Sequence, residues 1–430
     1  MQSGTAASSS EAKDTSANLP KTGLPGEGSE SAELSGTVAV QPKASAATRD
    51  DAERIAEAIS VAIAHEDESA FSSLIDHELF ADRILHGLAV SEEFRSSYRK
   101  QIADDGGLAN VGTDIIDSVK NGGDYSLVRI VDRNGDHRPV FRMLLADGSG
   151  LSHHEIILNE DRNGKSKIVD IFVYLTGEDV SDSLRAIDLS NIASQSEAVR
   201  QSLGTTEAAI VESAGTLQKI QSLATESQAD EALELYDDLP ANLKTNRGLL
   251  MRKLGVAQRV SEEKYFQVLD ECQKHHPMEP AFLFRTLDML AVQERHLDVL
   301  NTVERLLQLT GDEYLNLMKV KPLLALNRPE DARSAVAAAK KVSDNRIDAY
   351  WVETSVLLKA KDYTAVAKQL DEIATKFGMT FNDLSAIPDY AEFIASDQGK
   401  AWLEVQKNTP SESVPKVPNS PSIAAPAQSR

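Results

Sequence analysis

Between residues 229 and 377, apolar positions return with a period that no single helix or strand would produce. Ala232, Phe266, Val299, Ala332 and Val366 lie 34, 33, 33 and 34 residues apart. A second series, out of phase with the first, runs through Leu249, Leu283, Leu317 and Trp351 at intervals of 34, each followed by another apolar residue. Two interleaved series predict two amphipathic helices per unit, the signature of a helical solenoid. One unit departs from the pattern. After Phe266 the apolar residues fall at Leu269 and Cys272 instead of four positions on, so that unit is expected to be rotated or distorted. Residues 379–407 contain Tyr390, Phe393 and Trp402 and are expected to cap the open end, as a solenoid requires.

Upstream, the period changes twice. In RDDAERIAEAISVAIAHED, the residues Ala52, Ile55, Ile59, Ala62 and Ile63 recur at helical spacing behind an acidic first turn, which complements the helix dipole. Phe71, Leu74 and Ile75, then Leu79, Phe80, Ile84 and Leu85, then Phe94, Tyr98 and Ile102 mark two or three further helices, closed by Gly106 and Gly107. From Tyr125 to Leu175 the period falls to two, predicting four antiparallel strands: YSLVRIV, PVFRMLLA, LSHHEIILN and SKIVDIFVYL. Asn134-Gly135 and Asn163-Gly164 predict two-residue hairpin turns with both central residues at positive φ. These turns set a register. Leu158, Ile156 and His154 face Val169, Ile171 and Val173 on an apolar side, while Ile157, Glu155 and His153 face Asp170, Phe172 and Tyr174 on the other. Val128 then faces Phe141 and Leu127 faces Arg142, and a four-residue loop over 147–150 sets Met143 opposite His154 and Arg142 opposite Glu155. Arg142 and Glu155 are thus expected as an exposed pair on the outer side, with Ser152 and His154 as the polar groups of the inner one.

Helices followed by a meander that ends in NGKSKIVDIFVYL resemble the nuclear transport factor 2-like (ketosteroid isomerase-like, cystatin-like) α+β cone fold; Ser166 stands where many members of that family carry an aromatic residue. The repeats resemble tetratricopeptide repeats in period and in the small or apolar residue opening each second helix, while lacking the Trp-x-x-Leu-Gly-x-x-Tyr phrase. The expected architecture is an α+β cone-shaped domain, helices then antiparallel meander, followed by an all-α helical solenoid with disordered termini. Its divisions are a tail over 1–48, the α+β domain over 49–180, a helical connector over 181–228, repeats over 229–378, capping helices over 379–407 and a Pro- and Ser-rich tail over 408–430. The cone resemblance implies a pocket, which in catalytic members holds an Asp or His acid–base group. Ser152, His154 and Met143 would line it here, with His154 as the candidate catalytic group.

Composition narrows the functional classes. A net charge of −22 over 430 residues opposes nucleic acid and anionic membranes as partners, and no run of eighteen apolar residues predicts membrane insertion. The first 48 residues lack the basic start and apolar stretch of a signal peptide, so a cytoplasmic chain is the default expectation; a true start further upstream would allow export. The single cysteine, Cys272, excludes an internal disulfide and reads as a buried small hydrophobe. Asn159, Asp161, Asn163 and Gly164, with Asp170 beyond, mimic a calcium loop, but they lie between strands and end in Asp where such a loop ends in Glu. His153 and His154 point to opposite faces of one strand and cannot share an ion. His275 and His276 close a helix, where the dipole favours them. No metal or other cofactor is expected.

Two functional classes remain. One is a non-enzymatic adaptor holding a protein or peptide in a groove of the repeats, the acidic balance favouring a basic or neutral partner. The other is an enzyme or small-molecule binder with its site in the cone. A homodimer through the outer face of the sheet is compatible with either. Limited proteolysis is expected to trim residues 1–48 and 408–430 and leave a stable core; a melting temperature that falls sharply on trimming would contradict this reading of the tails.

Overall fold

A computed structural model describes residues 47–146, 150–225, 228–381 and 384–408. Nearly all of both expected tails, and most of the 147–150 loop, lie outside the described residues. Five helices come first: α1 (Arg49–Ala64), α2 (Glu68–Ser73), α3 (His77–Ile84), α4 (Glu92–Asp104) and α5 (Ala109–Lys120). Side chains of Thr48, Asp67, Asp76 and Ser91 cap the first four. A five-stranded antiparallel meander follows in the order β1 (Asp124–Arg133), β2 (Asp136–Leu144), β3 (Leu151–Glu160), β4 (Ser166–Val173) and β5 (Glu178–Asp179). Thereafter the chain is helical: α6 (Val180–Ala193), α7 (Glu197–Ser202), α8 (Thr205–Glu212), α9 (Ala214–Thr225), α10 (Ala229–Asp237), α11 (Ala241–Lys244), α12 (Arg247–Val260), α13 (Glu262–His275), α14 (Pro280–Val292), α15 (His296–Thr310), α16 (Leu317–Ala325), α17 (Pro329–Val342), α18 (Ile347–Lys359), α19 (Tyr363–Phe377), α20 (Ala391–Ala395) and α21 (Asp397–Asn408).

Strands β2 to β4 keep the expected faces but not every expected pairing, and the first half of β1 is turned over. Asn134 and Gly135 form the two-residue turn, with φ of 58° and 90°. A bulge at Val128 then advances β1, so Leu127 lies opposite Phe141 and Ser126 opposite Arg142. At the last hairpin, Asp161 Oδ1 accepts from the N–H groups of Asn163 and Lys165, and Glu160 pairs with Ser166 around a five-residue turn in which only Gly164 has positive φ. The frame displaced by that turn is restored by a bulge at Val169, so Ile157, Ile156, Glu155 and His154 meet Asp170, Ile171, Phe172 and Val173 as the sequence predicts. Between β2 and β3 the loop is six residues long, not four; His154 faces Phe141 and His153 faces Arg142. A slip of two residues preserves which side of the sheet each chain position occupies.

On the inner face, Phe141, Ile156, Ile168 and Ile171 pack with α1 to α5 around Ile55, Ile59, Phe80 and Ile116. The expected connector is not one piece. Leu184, Ile192 and Val199 of α6 and α7 join this first core, whereas Ile220 and Leu223 of α9 join that of the later helices.

From α9 to α19 the longer helices pack each against the next along the chain. Their buried seams recur with one spacing: Ala232, Tyr236 and Leu239; Tyr265, Leu269 and Cys272; Val299, Val303 and Leu306; Ala332, Val336 and Ala339; Val366, Leu370 and Ile373. All are buried except Tyr265, which is half-buried. The expected rotation of the second unit is therefore not needed, because Tyr265 and not Phe266 holds the first position. What differs is the turn that precedes it. The other three turns of this kind place Glu294, Asn327 and Lys361 in the left-handed region, with the next N–H reaching back to Leu290, Leu323 and Leu357, the six-to-one bond of a Schellman motif. Between α12 and α13, Ser261 alone both ends one helix and caps the next. Leu249, Leu283 and Leu317 are buried as expected; Trp351 is only half-buried, its ring edge-on to Phe381. Tyr390, Phe393 and Trp402 close the end of the array over Val366 and Leu370.

The outer face of the sheet is not open to solvent. Tyr174 enters the core of α9 to α15, and Leu144 packs with Tyr314, Leu317, Ala339 and Ala349. The later helices thus cover much of the face on which the homodimer contact was expected. Leu317→Ala should cost about 2 to 5 kcal/mol in a denaturant titration; a loss below about 0.5 kcal/mol would show that this side chain is not the packed junction described.

Candidate functional site

His154 lies on the inner face, where its Nδ1 is 3.3 Å from Tyr125 Oη, and Tyr125 in turn stacks on Phe141 at 4.8 Å between ring centroids. Burial pushes the imidazole down to about 4, the adjacent His153 adding to the effect, so it is neutral at pH 7. Ser152 shares the face and lies opposite Met143, which is half-buried; Ser152 Oγ is buried and has no partner within the protein. The three residues singled out from the sequence are therefore on one face, with Met143 one pair away from its expected place opposite His154. Tyr125 was not singled out: the predicted register puts Leu127, and with it Tyr125, on the outer side, and the bulge at Val128 turns residues 124–127 over, bringing Tyr125 to the inner one. A neutral imidazole beside a phenol whose own ionisation is suppressed by burial can hold a hydrogen-bonding ligand. As a general base it would be weak, because it binds a proton only in acid.

Richer polar chemistry sits on the outer face. Arg142 Nη1 donates to Asp312 Oδ1 at 3.0 Å, His153 Nε2 lies 2.8 Å from Asp312 Oδ2, and the Arg142 guanidinium covers the Tyr314 ring at 4.4 Å. His153 also stacks on Phe284 of α14. Beside this group Glu155 accepts both arms of Arg133, at 3.1 and 2.7 Å, together with Arg138 and the Tyr174 hydroxyl. The expected exposed pair Arg142–Glu155 does not form; both residues are buried, 3% exposed, and each has other partners. Burial alone would raise the Asp312 carboxyl, but His153, Arg142 and the Tyr314 N–H outweigh it and hold Asp312 below the ordinary carboxylate range. Asp312 was missed because its sequence signal, an Asp after Thr310-Gly311, reads as a helix stop and cap. It is that too, accepting from Tyr314 N.

The remaining candidates have structural explanations. Cys272 is buried, its thiol pushed up to about 12 chiefly by burial. Asp170 of the calcium-like stretch is taken by Arg83, at 2.7 Å, and by Ser181, so it does not serve the turn. His276 Nε2 lies 2.8 Å from the Thr245 carbonyl. Among the described residues no group of three or more His, Cys, Asp or Glu is placed to hold a metal ion, and no helix is long and apolar enough to cross a membrane. In comparisons with known proteins, no family model, no curated protein and no solved structure matches this chain.

His154 makes a pH signature. Below pH 6.5 the unfolded chain takes up a proton that the folded imidazole refuses until about 4. Stability should therefore be complete above 6.5 and fall as the pH drops toward 4, by on the order of 3 kcal/mol at the acid end. Unfolding titrations across this window should show the slope in the parent and a flatter curve in His154→Gln. Parallel curves would mean that His154 does not titrate as its burial requires.

Proposed function

We propose that the protein is a non-enzymatic interaction adaptor, in which a tetratricopeptide-like solenoid over residues 229–378 is fused to a cone-shaped α+β domain of the nuclear transport factor 2-like kind. The observation that carries the reading is the fivefold return of one buried helix seam, with one turn geometry between three of the helix pairs. Repetition of this sort builds an extended surface and no single reaction centre. The enzymatic alternative rests on His154, whose burial keeps it from acting as a base near neutral pH.

Local charge favours a different partner from the one net charge suggests. Helix α12 carries Arg247, Arg252, Lys253 and Arg259 with no carboxylate, and α16 carries Lys319 and Lys321 with none. Arg252, Arg259 and Lys321 are exposed and make no ion pair among the described residues. Helix α10, which opens the other series, carries four carboxylates and no cation. The row containing α12 and α16 is thus suited to an acidic segment, held by side chains that keep their charge in water.

A glutamate-rich helical peptide titrated into the full chain should bind in a salt-dependent manner and cross-link to α12 and α16. The double variant Arg252→Glu, Lys321→Glu should weaken it at least tenfold. Unchanged binding in that variant, or cross-links confined to the sheet around His154, would overturn the adaptor reading in favour of the pocket.

A further inference from the structure

The junction between the sheet and the later helices is built unlike the cores on either side of it. Six buried side-chain polar atoms among the described residues lack a partner within the protein, and four of them lie at this junction: Arg129 Nε, Arg142 Nε, His153 Nδ1 and Glu279 Oε1. Its specific bonds are charged: Arg142 and His153 to Asp312, Arg129 Nη2 to the Leu309 carbonyl at 2.9 Å, and Arg247 to Glu178 at 3.8 Å. Among the described residues, Tyr174 and Leu144 from the sheet side are buried in the cores of the later helices, and Leu151, Phe172 and Leu175 pack half-buried against them.

We propose that this junction is a latch. The α+β half and the helical array part and re-close as units, and Asp312 is the closing group. Each half keeps its own apolar core when the latch opens, the first closed by Leu184, Ile192 and Val199 and the second by the recurring seams. The chain passes between the halves through extended backbone at Leu203 and Gly204, which can absorb a change of angle. A seam of charged groups with unmatched hydrogen-bonding atoms opens before a close-packed apolar core does, because water replaces what those groups lose. Arginines on one side and Asp312 on the other then guide closure by attraction between opposite charges. The inference does not depend on the adaptor reading, since it concerns how the two halves meet and not what either binds.

The test is thiol labelling of the full chain in a Cys272→Ala background, with one new cysteine at the seam (Leu144→Cys), in the first core (Ile116→Cys) or in the array (Val336→Cys). Under native conditions the seam thiol should label at least tenfold faster than the other two. Adding Asp312→Asn should speed the seam thiol by a further tenfold or more and leave the core thiols unchanged. A common rate for all three thiols in the parent background would show that only global unfolding exposes the junction. That result overturns the latch even if Asp312→Asn fails to fold, and so does a seam rate that ignores Asp312→Asn in a folded protein.

Discussion

An ionised carboxylate kept 1% exposed imposes a condition on everything around it, and in this chain that carboxylate is Asp312. Removed from water, it needs cationic and N–H partners close enough to replace hydration. Arg142 and His153 come from neighbouring strands, while Tyr314 N comes from the turn that Asp312 itself caps. The requirement ties strands β2 and β3 to the end of α15. It also explains Gly311. At φ 70° the chain turns sharply out of α15, and a Cβ there would meet the Arg129 guanidinium at 2.6 Å, blocking the reach of Arg129 to the Leu309 carbonyl.

The sides of the sheet were legible in the sequence because side-chain alternation has a period of two and survives even-numbered errors. A loop two residues longer than expected moved Arg142 from Glu155 to His153 without turning either over. An odd error inverts a face: the bulge at Val169 corrects one, whereas the bulge at Val128 turns Tyr125 and Leu127 from the expected outer side to the inner one. What alternation could not convey was which side meets water. Arg142, His153 and Glu155 read as solvent-facing because charged side chains usually are. Here Arg142 and His153 meet Asp312, Tyr314 and Phe284 from the later helices, and Glu155 is enclosed by Arg133, Arg138 and Tyr174; no local pattern near β3 encodes the contacts with the helices. The inner candidates Ser152, His154 and Met143 were readable as neighbours for the same reason that the outer ones were misread as exposed.

Within the array, periodicity identified the helices and misplaced one frame. Tyr265 and Phe266 are adjacent aromatics, both half-buried, so hydrophobicity alone does not say which belongs to the seam. The choice follows from the seam as a whole: Leu269 and Cys272 stand four and seven residues after Tyr265, as Val303 and Leu306 stand after Val299. The turns were hidden for a different reason. Glu294 and Lys361 adopt a backbone region where glycine or asparagine is the usual signal, and only Asn327 advertises it. Three side chains accept that conformation because the helices on both sides are already held by packing.

On the proposed reading, local charge outweighs net charge on a surface whose charges are sorted by element. Of the arginines on the outer sheet face, Arg133 and Arg138 are engaged by Glu155 and Arg142 by Asp312. The four carboxylates of α10 and the four cations of α12 cancel in a sum over both helices, yet they lie on two packed helices of opposite character. Attraction is felt over roughly a Debye length, about 8 Å at physiological salt. A partner approaching α12 or α16 therefore meets the charge of that helix more strongly than the −22 of the whole chain. For this reason the proposed acidic partner does not conflict with an acidic protein: the long-range repulsion is screened, and the close contacts are made with arginine and lysine.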